Sequence, residues 1–247
     1  MTLTEFFHEN QKAAIAFSGG VDSAYLLYAA LQSGADVRAY YVKSAFQPQF
    51  ELDDARRLAE TLSADMRVLD VDILADETVA ANPSDRCYHC KRRIFSAIAS
   101  AAAADGYTLL LDGTNASDDA GDRPGMRALR ELSVRSPLRE CGLTKPEIRR
   151  LSREAGLFTW DKPAYACLAT RVPAGERLTA EKLENTERAE DFLFSLGFTD
   201  FRVRLFSGAA RLQLPAEQLP RLLERRAEIL SELKKTYSAV VLDLEVR

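Results

Sequence analysis

Apolar and polar positions alternate between strand and helix spacing through the first two thirds of the chain. Ala13–Phe17 (AAIAF) is a short apolar run of strand type, and after Ser-Gly-Gly the stretch from Val21 to Gln32 has helical spacing. Val37–Val42 and Met66–Val71 repeat the strand pattern, with a helical stretch, Leu52–Leu62, between them. A helix is expected from about Cys90 to Ala104, a fourth strand at Tyr107–Leu111, and a short fifth strand near Val134–Leu138. Thr144–Ala155 is a marked helix with Thr144 as N-cap and Gly156 as its stop. Repeated strand–helix units predict an α/β fold, a parallel twisted sheet with helices on both faces. Such sheets bind ligands at the carboxyl ends of their strands.

The pattern changes after Thr170. A long amphipathic helix, Leu178–Leu196, precedes a hairpin of Asp200–Phe206 and Ala209–Leu214 about Ser207-Gly208. A helix from Pro215 to about Lys235 and a strand at Ala239–Val246 close the chain. This αββαβ order predicts a small α+β domain at 172–247, a substrate-binding or oligomerisation module, after a larger domain at 1–171.

Composition adds limits. With 247 residues and 47% apolar content the chain is long enough to bury a full core. A formal charge of −4 argues against an electrostatically driven nucleic-acid binder. No apolar run nears the roughly 20 residues of a membrane span. The polar start MTLTEFFHEN is unlike a signal peptide, so the cytoplasm is the expected compartment. Four cysteines, Cys87, Cys90, Cys141 and Cys167, are too few for a disulfide scaffold, and in a reducing compartment they point to metal or redox chemistry.

Ser18-Gly19-Gly20-Val21-Asp22-Ser23 falls between the first strand and the first helix. Two glycines permit a tight turn and close backbone approach, and the helix start supplies N–H groups to an anion. The plain alternative is a strand–turn–helix connection with a serine cap. Asp22 decides against it, because a carboxylate beside phosphate needs a bridging cation, which implies Mg²⁺. The segment is neither a Walker loop nor a dinucleotide fingerprint. It resembles the PP-loop of the ATP-pyrophosphatases, which cleave ATP to AMP and pyrophosphate while adenylating a substrate.

Asp112-Gly113-Thr114-Asn115 ends the fourth strand, and by itself would read as a turn. Beside a nucleotide loop it is expected to shape the nucleotide pocket. Further segments are Arg123-Pro124-Gly125-Met126-Arg127-Ala128-Leu129, Arg135-Ser136-Pro137-Leu138, the Cys87-Tyr88-His89-Cys90 pair, and Lys162-Pro163-Ala164-Tyr165-Ala166-Cys167-Leu168-Ala169. Together these resemble the LarE family of ATP-dependent sulfur transferases over nearly the whole chain. The resemblance implies adenylation of the carboxylates of a pyridinium-dicarboxylate mononucleotide, with ATP near Ser18–Ser23 and sulfur from Cys167 displacing AMP. Its thiocarboxylate product feeds a nickel-pincer nucleotide cofactor, which implies a homo-oligomer, a sulfide donor and a downstream nickel-inserting protein.

Within the family, one type sacrifices a single cysteine, while another resembles iron–sulfur proteins with three cysteines on a [4Fe–4S] cluster. Cys87, Cys90 and Cys167 match the second type; Cys141 stands outside the pattern and reads as a small, partly buried residue. Asp22 and Cys167 are the expected catalytic residues. Arg202 and Arg204 lie on one face of a strand and, with Glu190 and Arg211, are expected to hold the substrate's phosphate by the resemblance; a solvated or salt-bridged face is the alternative. Competing functions are a tRNA-thiolating PP-loop enzyme and a non-catalytic adenine-nucleotide sensor. Asparagine- or NAD-synthetase-like amidation leaves Cys87 and Cys90 without a role.

Overall fold

The computed structural model of the protein describes residues 1–118 and 124–245. It forms two compact units, one of residues 1–73 and 85–162 and one of 74–84 and 163–247. Arg123 and Val246 of the segments read above lie outside the described residues.

The chain begins with α1 (Leu3–Glu9), which its polar composition did not suggest. Thr2 and Glu5 cap it reciprocally: Glu5 N–H donates to Thr2 Oγ1 at 3.2 Å and Thr2 N–H to Glu5 Oε2 at 2.7 Å. This orientation drives Phe6 and Phe7 fully into the core. The strands β1 (Lys12–Ala16), β2 (Asp36–Lys43) and β3 (Met66–Asp70) follow, separated by α2 (Val21–Gln32) and α3 (Gln49–Thr61). The short α4 (Glu77–Ala80) belongs to the second unit. Then come α5 (Arg86–Ala104), β4 (Leu110–Leu111), α6 (Pro124–Glu131), α7 (Pro137–Glu140) and α8 (Lys145–Glu154).

The sheet order is β3-β2-β1-β4, with all pairings parallel. Its strands alternate between two cores, as the pleat requires. Ala13, Ile15, Val37, Ala39 and Tyr41 enter one with Leu26, Leu27 and Leu58. Ala14, Tyr40 and Val42 enter the other with Phe95, Ile98 and Leu129. Helices therefore cover both faces, as expected for a parallel sheet.

Two expected strands are shorter than their apolar runs. Tyr107–Leu111 contributes only Leu110–Leu111 to the sheet, and Val134–Leu138 contributes a single parallel bridge from Arg135 to Leu111. Pro137 explains the second: it opens α7, because its fixed φ suits a helix start and it has no N–H for a ladder.

The second unit begins at Pro163 rather than at residue 172, and it takes in the earlier segment 74–84. Asn82 is the tie. Fully buried, it donates from Nδ2 to the carbonyls of Pro173 (2.8 Å) and Glu176 (3.0 Å), and its own carbonyl accepts from Gly175 N–H at 2.8 Å. The unit continues with α9 (Ala180–Ser195), β5 (Arg202–Phe206), β6 (Ala209–Gln213), α10 (Leu219–Glu224), α11 (Arg226–Leu233) and β7 (Val240–Leu242). β5 and β6 pair antiparallel, and β7 joins β6 in parallel. Ser207 and Gly208 both have positive φ, 48° and 80°, the geometry of a two-residue hairpin turn. The expected helix from Pro215 to Lys235 is broken at Arg225, where α10 ends and α11 begins. Among the described residues no helix is long and apolar enough to cross a membrane.

At the amino end of the sheet, Asp105 accepts from Tyr40 Oη (2.8 Å), Arg67 (2.9 Å) and Arg38 (3.0 Å). The Tyr40 and Arg67 bonds hold its carboxyl down, at about 2. A depressed carboxylate stabilises the fold above its unfolded pKa of about 3.9 and loses that contribution as pH falls toward its folded value. The urea midpoint of the wild type should exceed that of Asp105→Asn by a constant margin above about pH 5, closing as pH falls toward about 2. A margin unchanged down to that pH would mean the ionised form carries none of the effect.

Candidate active site

The loop after β1 is built by close approach. Gly19 has φ +73°, and a Cβ there would lie 3.1 Å from Ala55 Cβ of α3. Gly20 caps α2 through its backbone in extended conformation. Ser23, which is buried, donates to the Gly20 carbonyl at 3.2 Å and accepts from Ser18 N–H at 3.2 Å, and the two serine hydroxyls are 3.1 Å apart. The loop is thus closed on itself before any ligand arrives.

Asp112–Asn115 meets this loop at Gly113. A Cβ on Gly113 would stand 2.9 Å from the Ser23 backbone nitrogen, so only glycine lets the two segments touch. Around it, Asp112 is buried and accepts from Thr114 Oγ1 at 2.5 Å and from Ser136 Oγ at 2.6 Å. Asp112 N–H also donates to the Arg135 carbonyl at 2.9 Å, so Arg135-Ser136 buttresses the segment. Asn115 Nδ2 donates to Asp22 Oδ1 at 3.3 Å.

Asp22 Oδ2 receives Lys145 Nζ, at the start of α8, at 2.5 Å. Burial raises the Asp22 pKa, and the hydrogen bond and charge of Lys145 oppose that rise. Arg149, one turn along α8, donates to the carbonyls of Trp160 (2.6 Å) and Lys162 (2.8 Å). Lys162 itself pairs with Asp54 at 2.7 Å and Glu51 at 3.1 Å.

Cys87 and Cys90 occupy the first turn of α5, exposed and half-buried respectively, on neighbouring positions of one helix face. His89 pairs with Asp85 at 3.4 Å. Tyr88 anchors this turn: its hydroxyl donates to Glu131 at 2.8 Å and the Arg127 guanidinium stacks 3.9 Å from its ring centre. Cys141 packs on the first core, where burial pushes its thiol pKa up, in keeping with an inert structural residue. Among the described residues no group of three or more His, Cys, Asp and Glu side chains is gathered to hold a metal ion. Cys87 and Cys90 are two neighbouring thiols in the first unit, and Cys167 lies in the second.

In the second unit, half-buried Cys167 precedes the 3-10 turn Leu168–Arg171. Its carbonyl accepts from Thr170 N–H (3.0 Å) and Thr170 Oγ1 (2.8 Å). Arg171 is fully buried, donating to the Ala166 carbonyl at 2.8 Å and bidentately to Glu190 at 2.8 and 3.1 Å. Glu190 also accepts from Tyr165 Oη and from Val203 N–H, the latter at 2.9 Å. Burial of Tyr165, and then the Glu190 charge beside it, raises the Tyr165 hydroxyl far above its usual range. Arg202 is buried and donates to the carbonyls of Ala164 and Phe201, both at 2.5 Å. Arg204 donates to Gln213 (2.5 Å) and to the Thr170 carbonyl (2.6 Å), while Arg211 sits 3.4 Å from Asp243. Arg204 and Arg211 are direct cross-strand partners.

The family model described as "Queuosine biosynthesis protein QueC" matches residues 12–93, which contain the Ser18–Ser23 loop. The chain is similar to an uncharacterized protein of Synechocystis sp., 39% identical over 98% of this chain and 92% of that protein. It is also similar to the pyridinium-3,5-bisthiocarboxylic acid mononucleotide synthase of Lactiplantibacillus plantarum, 36% identical over 88% of this chain and 80% of that one. The chain belongs to the LarE family of ATP-dependent sulfur transferases. A more distant likeness, 26% identical over 61% of this chain, is to the tRNA-specific 2-thiouridylase MnmA of Thermotoga petrophila, of which 54% is covered. As a LarE family member the protein is an ATP-using, sulfur-transferring enzyme.

Lys145 of the first unit and Arg171 of the second are not marked by any motif of this LarE family sequence. Lys145 follows the N-cap of a helix read correctly, yet its partner is 123 positions away. Arg171 stands two residues past the Lys162–Ala169 segment, and its side chain is buried against Glu190 of α9.

The Gly113 contact is open to a direct check. Gly113→Ala forces the strand end off Ser23, an overpacking that typically costs about 1–3 kcal/mol. Calorimetric titration with ATP should show binding weakened at least tenfold with the fold retained. Unchanged binding would show that the approach of the two segments does not shape the nucleotide pocket.

Proposed function

We propose that this enzyme adenylates the carboxylates of a pyridinium-dicarboxylate mononucleotide and converts them to thiocarboxylates, releasing AMP and pyrophosphate. The observation that carries the adenylation half is the locked pair of segments, Ser18–Ser23 and Asp112–Asn115, meeting at Gly113 and Ser23 beside Asp22. The substrate follows from the likeness to the Lactiplantibacillus synthase. A substrate carboxylate oxygen attacks the α-phosphorus of ATP, and pyrophosphate leaves. Sulfur carried at Cys167 then attacks the activated carbon, AMP leaves with the oxygen it received, and the bond from that sulfur to its carrier breaks to free the thiocarboxylate.

Asp22 is the carboxylate suited to Mg²⁺, which supplies charge neutralisation of the phosphates when bound. Ser18, Gly19, Gly20 and Ser23 receive the pyrophosphate. For the substrate's phosphate, the support is the cross-strand pairing of Arg204 and Arg211, which places the two side chains on one face of the β5–β6 hairpin. Buried Glu190 and Arg202 belong to the frame of this region through their bonds to Arg171 and Ala164.

The three-cysteine [4Fe–4S] reading rests on the family pattern and on the adjacency of Cys87 and Cys90 on α5; the residues gathered in the first unit hold only two of its three thiolates, and no step above runs through it. A homo-oligomer, a cytoplasmic location, a sulfide donor and a nickel-inserting partner complete the proposal. A second reading, tRNA thiolation, draws on the MnmA likeness, but the net charge of −4 gives it little electrostatic support.

Pyrophosphate release that depends on the mononucleotide tests the reading; ATP binding without turnover would favour a nucleotide sensor, and a salt-sensitive tRNA shift would favour the second enzyme. Cys167→Ala should keep pyrophosphate release and lose the thiolated product. Thiolation persisting in that variant would defeat the role of Cys167. Iron and acid-labile sulfide should both approach four per chain after anaerobic purification. Absence of both after reconstitution would leave Cys167 as a sacrificial or persulfide donor, with Cys87 and Cys90 as a redox pair.

A further inference from the structure

Asp22, the carboxylate assigned above to magnesium, already holds a cation. Lys145 Nζ stands 2.5 Å from Oδ2, with side-chain exposures of 32% for the lysine and 23% for the aspartate, so the pair is open to incoming ions. The lysine is aimed by a closed circuit of bonds. Its backbone N–H donates to Ser117 Oγ (2.9 Å), Ser117 N–H donates to Asn115 Oδ1 (2.8 Å), and Asn115 Nδ2 donates to Asp22 Oδ1 (3.3 Å). The nucleotide-side segment therefore positions both Asp22 and the residue that neutralises it.

We propose that Lys145 is a phosphate-contacting residue of the adenylation site. It serves as the counter-ion of Asp22 until magnesium arrives with ATP, then turns its ammonium to the pyrophosphate. This deepens the ATP-dependent reading and rests on Ser18–Ser23 being the pyrophosphate loop. The argument is one of charge. An ammonium at hydrogen-bond distance and a divalent cation repel each other on one carboxylate, so one displaces the other. A lysine on a four-carbon stem can swing without moving its helix. The polyphosphate that brings the metal also brings the negative charge the displaced ammonium needs. After the exchange neither Asp22 nor Lys145 is left unpaired, whereas loss of the lysine leaves Asp22 free for a metal ion in the absence of nucleotide.

The test uses Mn²⁺ as the probe, followed by electron paramagnetic resonance on the full-length protein without nucleotide. Lys145→Met should bind Mn²⁺ at least tenfold more tightly than wild type, and adding Asp22→Asn to it should abolish the gain. In steady-state assays the same variant should show a raised KM for Mg·ATP and at least a hundredfold loss of pyrophosphate release, with Lys145→Arg in between. Lys145→Gln, checked by near-ultraviolet circular dichroism, replaces the methionine variant if that one does not fold. Unchanged Mn²⁺ affinity overturns the competition for Asp22, and an unchanged KM overturns the phosphate contact; either result sinks the exchange. Wild type that releases no pyrophosphate from Mg·ATP would instead fail the ATP-dependent reading, while the Mn²⁺ arm still reports on Lys145.

Discussion

A carboxylate in the first turn of a helix is favoured by the helix dipole, yet the same position beside a phosphate loop places it against the ligand's charge. Asp22 is held in that conflict, and the carboxyl edge of the sheet is arranged around it. Lys145 and Asn115 each take one of its oxygens, and the bond and charge of Lys145 oppose the burial that raises its pKa. Asn115 reaches Asp22 from the strand-end segment, which lies directly on the loop because Gly113 has no side chain, whereas Lys145 comes from α8. Sheet order contributes too: β4 pairs with β1, which sets their carboxyl ends side by side.

The second unit solves a different problem, fixing a segment that has little regular structure of its own. Between Pro163 and Arg171 the only regular element is the 3-10 turn, so the Cys167 backbone is held by side chains. Arg171 and Glu190 form the centre of this, both essentially excluded from solvent. A buried pair of this kind is costly to assemble, and it holds only where every remaining donor and acceptor is satisfied. Here Glu190 takes Tyr165 and Val203, and Arg171 takes the Ala166 carbonyl. Removing one partner from such a pair typically costs about 3–5 kcal/mol. Its bonds run to both sides of Cys167 in the chain, so its loss would release the segment that carries the sulfur.

The sheet and both glycine-containing site segments were legible because their signals are local. Strand periodicity placed β1, β2 and β3 to within a residue or two, and Ser207-Gly208 announced its hairpin. The Thr2–Glu5 capping box was present in the sequence but overlooked beside so many polar residues. The division of the chain was not legible in the same way. Asn82 joins 74–84 to the second unit through carbonyls more than ninety positions away, and no composition shift marks that. Lys145 was hidden for the same reason: a lysine at a helix start is unremarkable until its partner is known.

The distribution of these residues between the units bears on how the chemistry is organised. The loop, Asp22, the Asp112–Asn115 segment and Lys145 all belong to the first unit, while Cys167 and the arginines of β5 and β6 belong to the second. On the proposed roles, adenylation and sulfur delivery draw on different cores, stabilised by different apolar clusters. A substitution at Gly113 acts on its contact with Ser23, inside the first unit. One at Arg171 acts on the Cys167 segment, inside the second. Half-reactions that rest on separate frameworks in this way can be lost separately, so the proposed two steps should be separable by substitution.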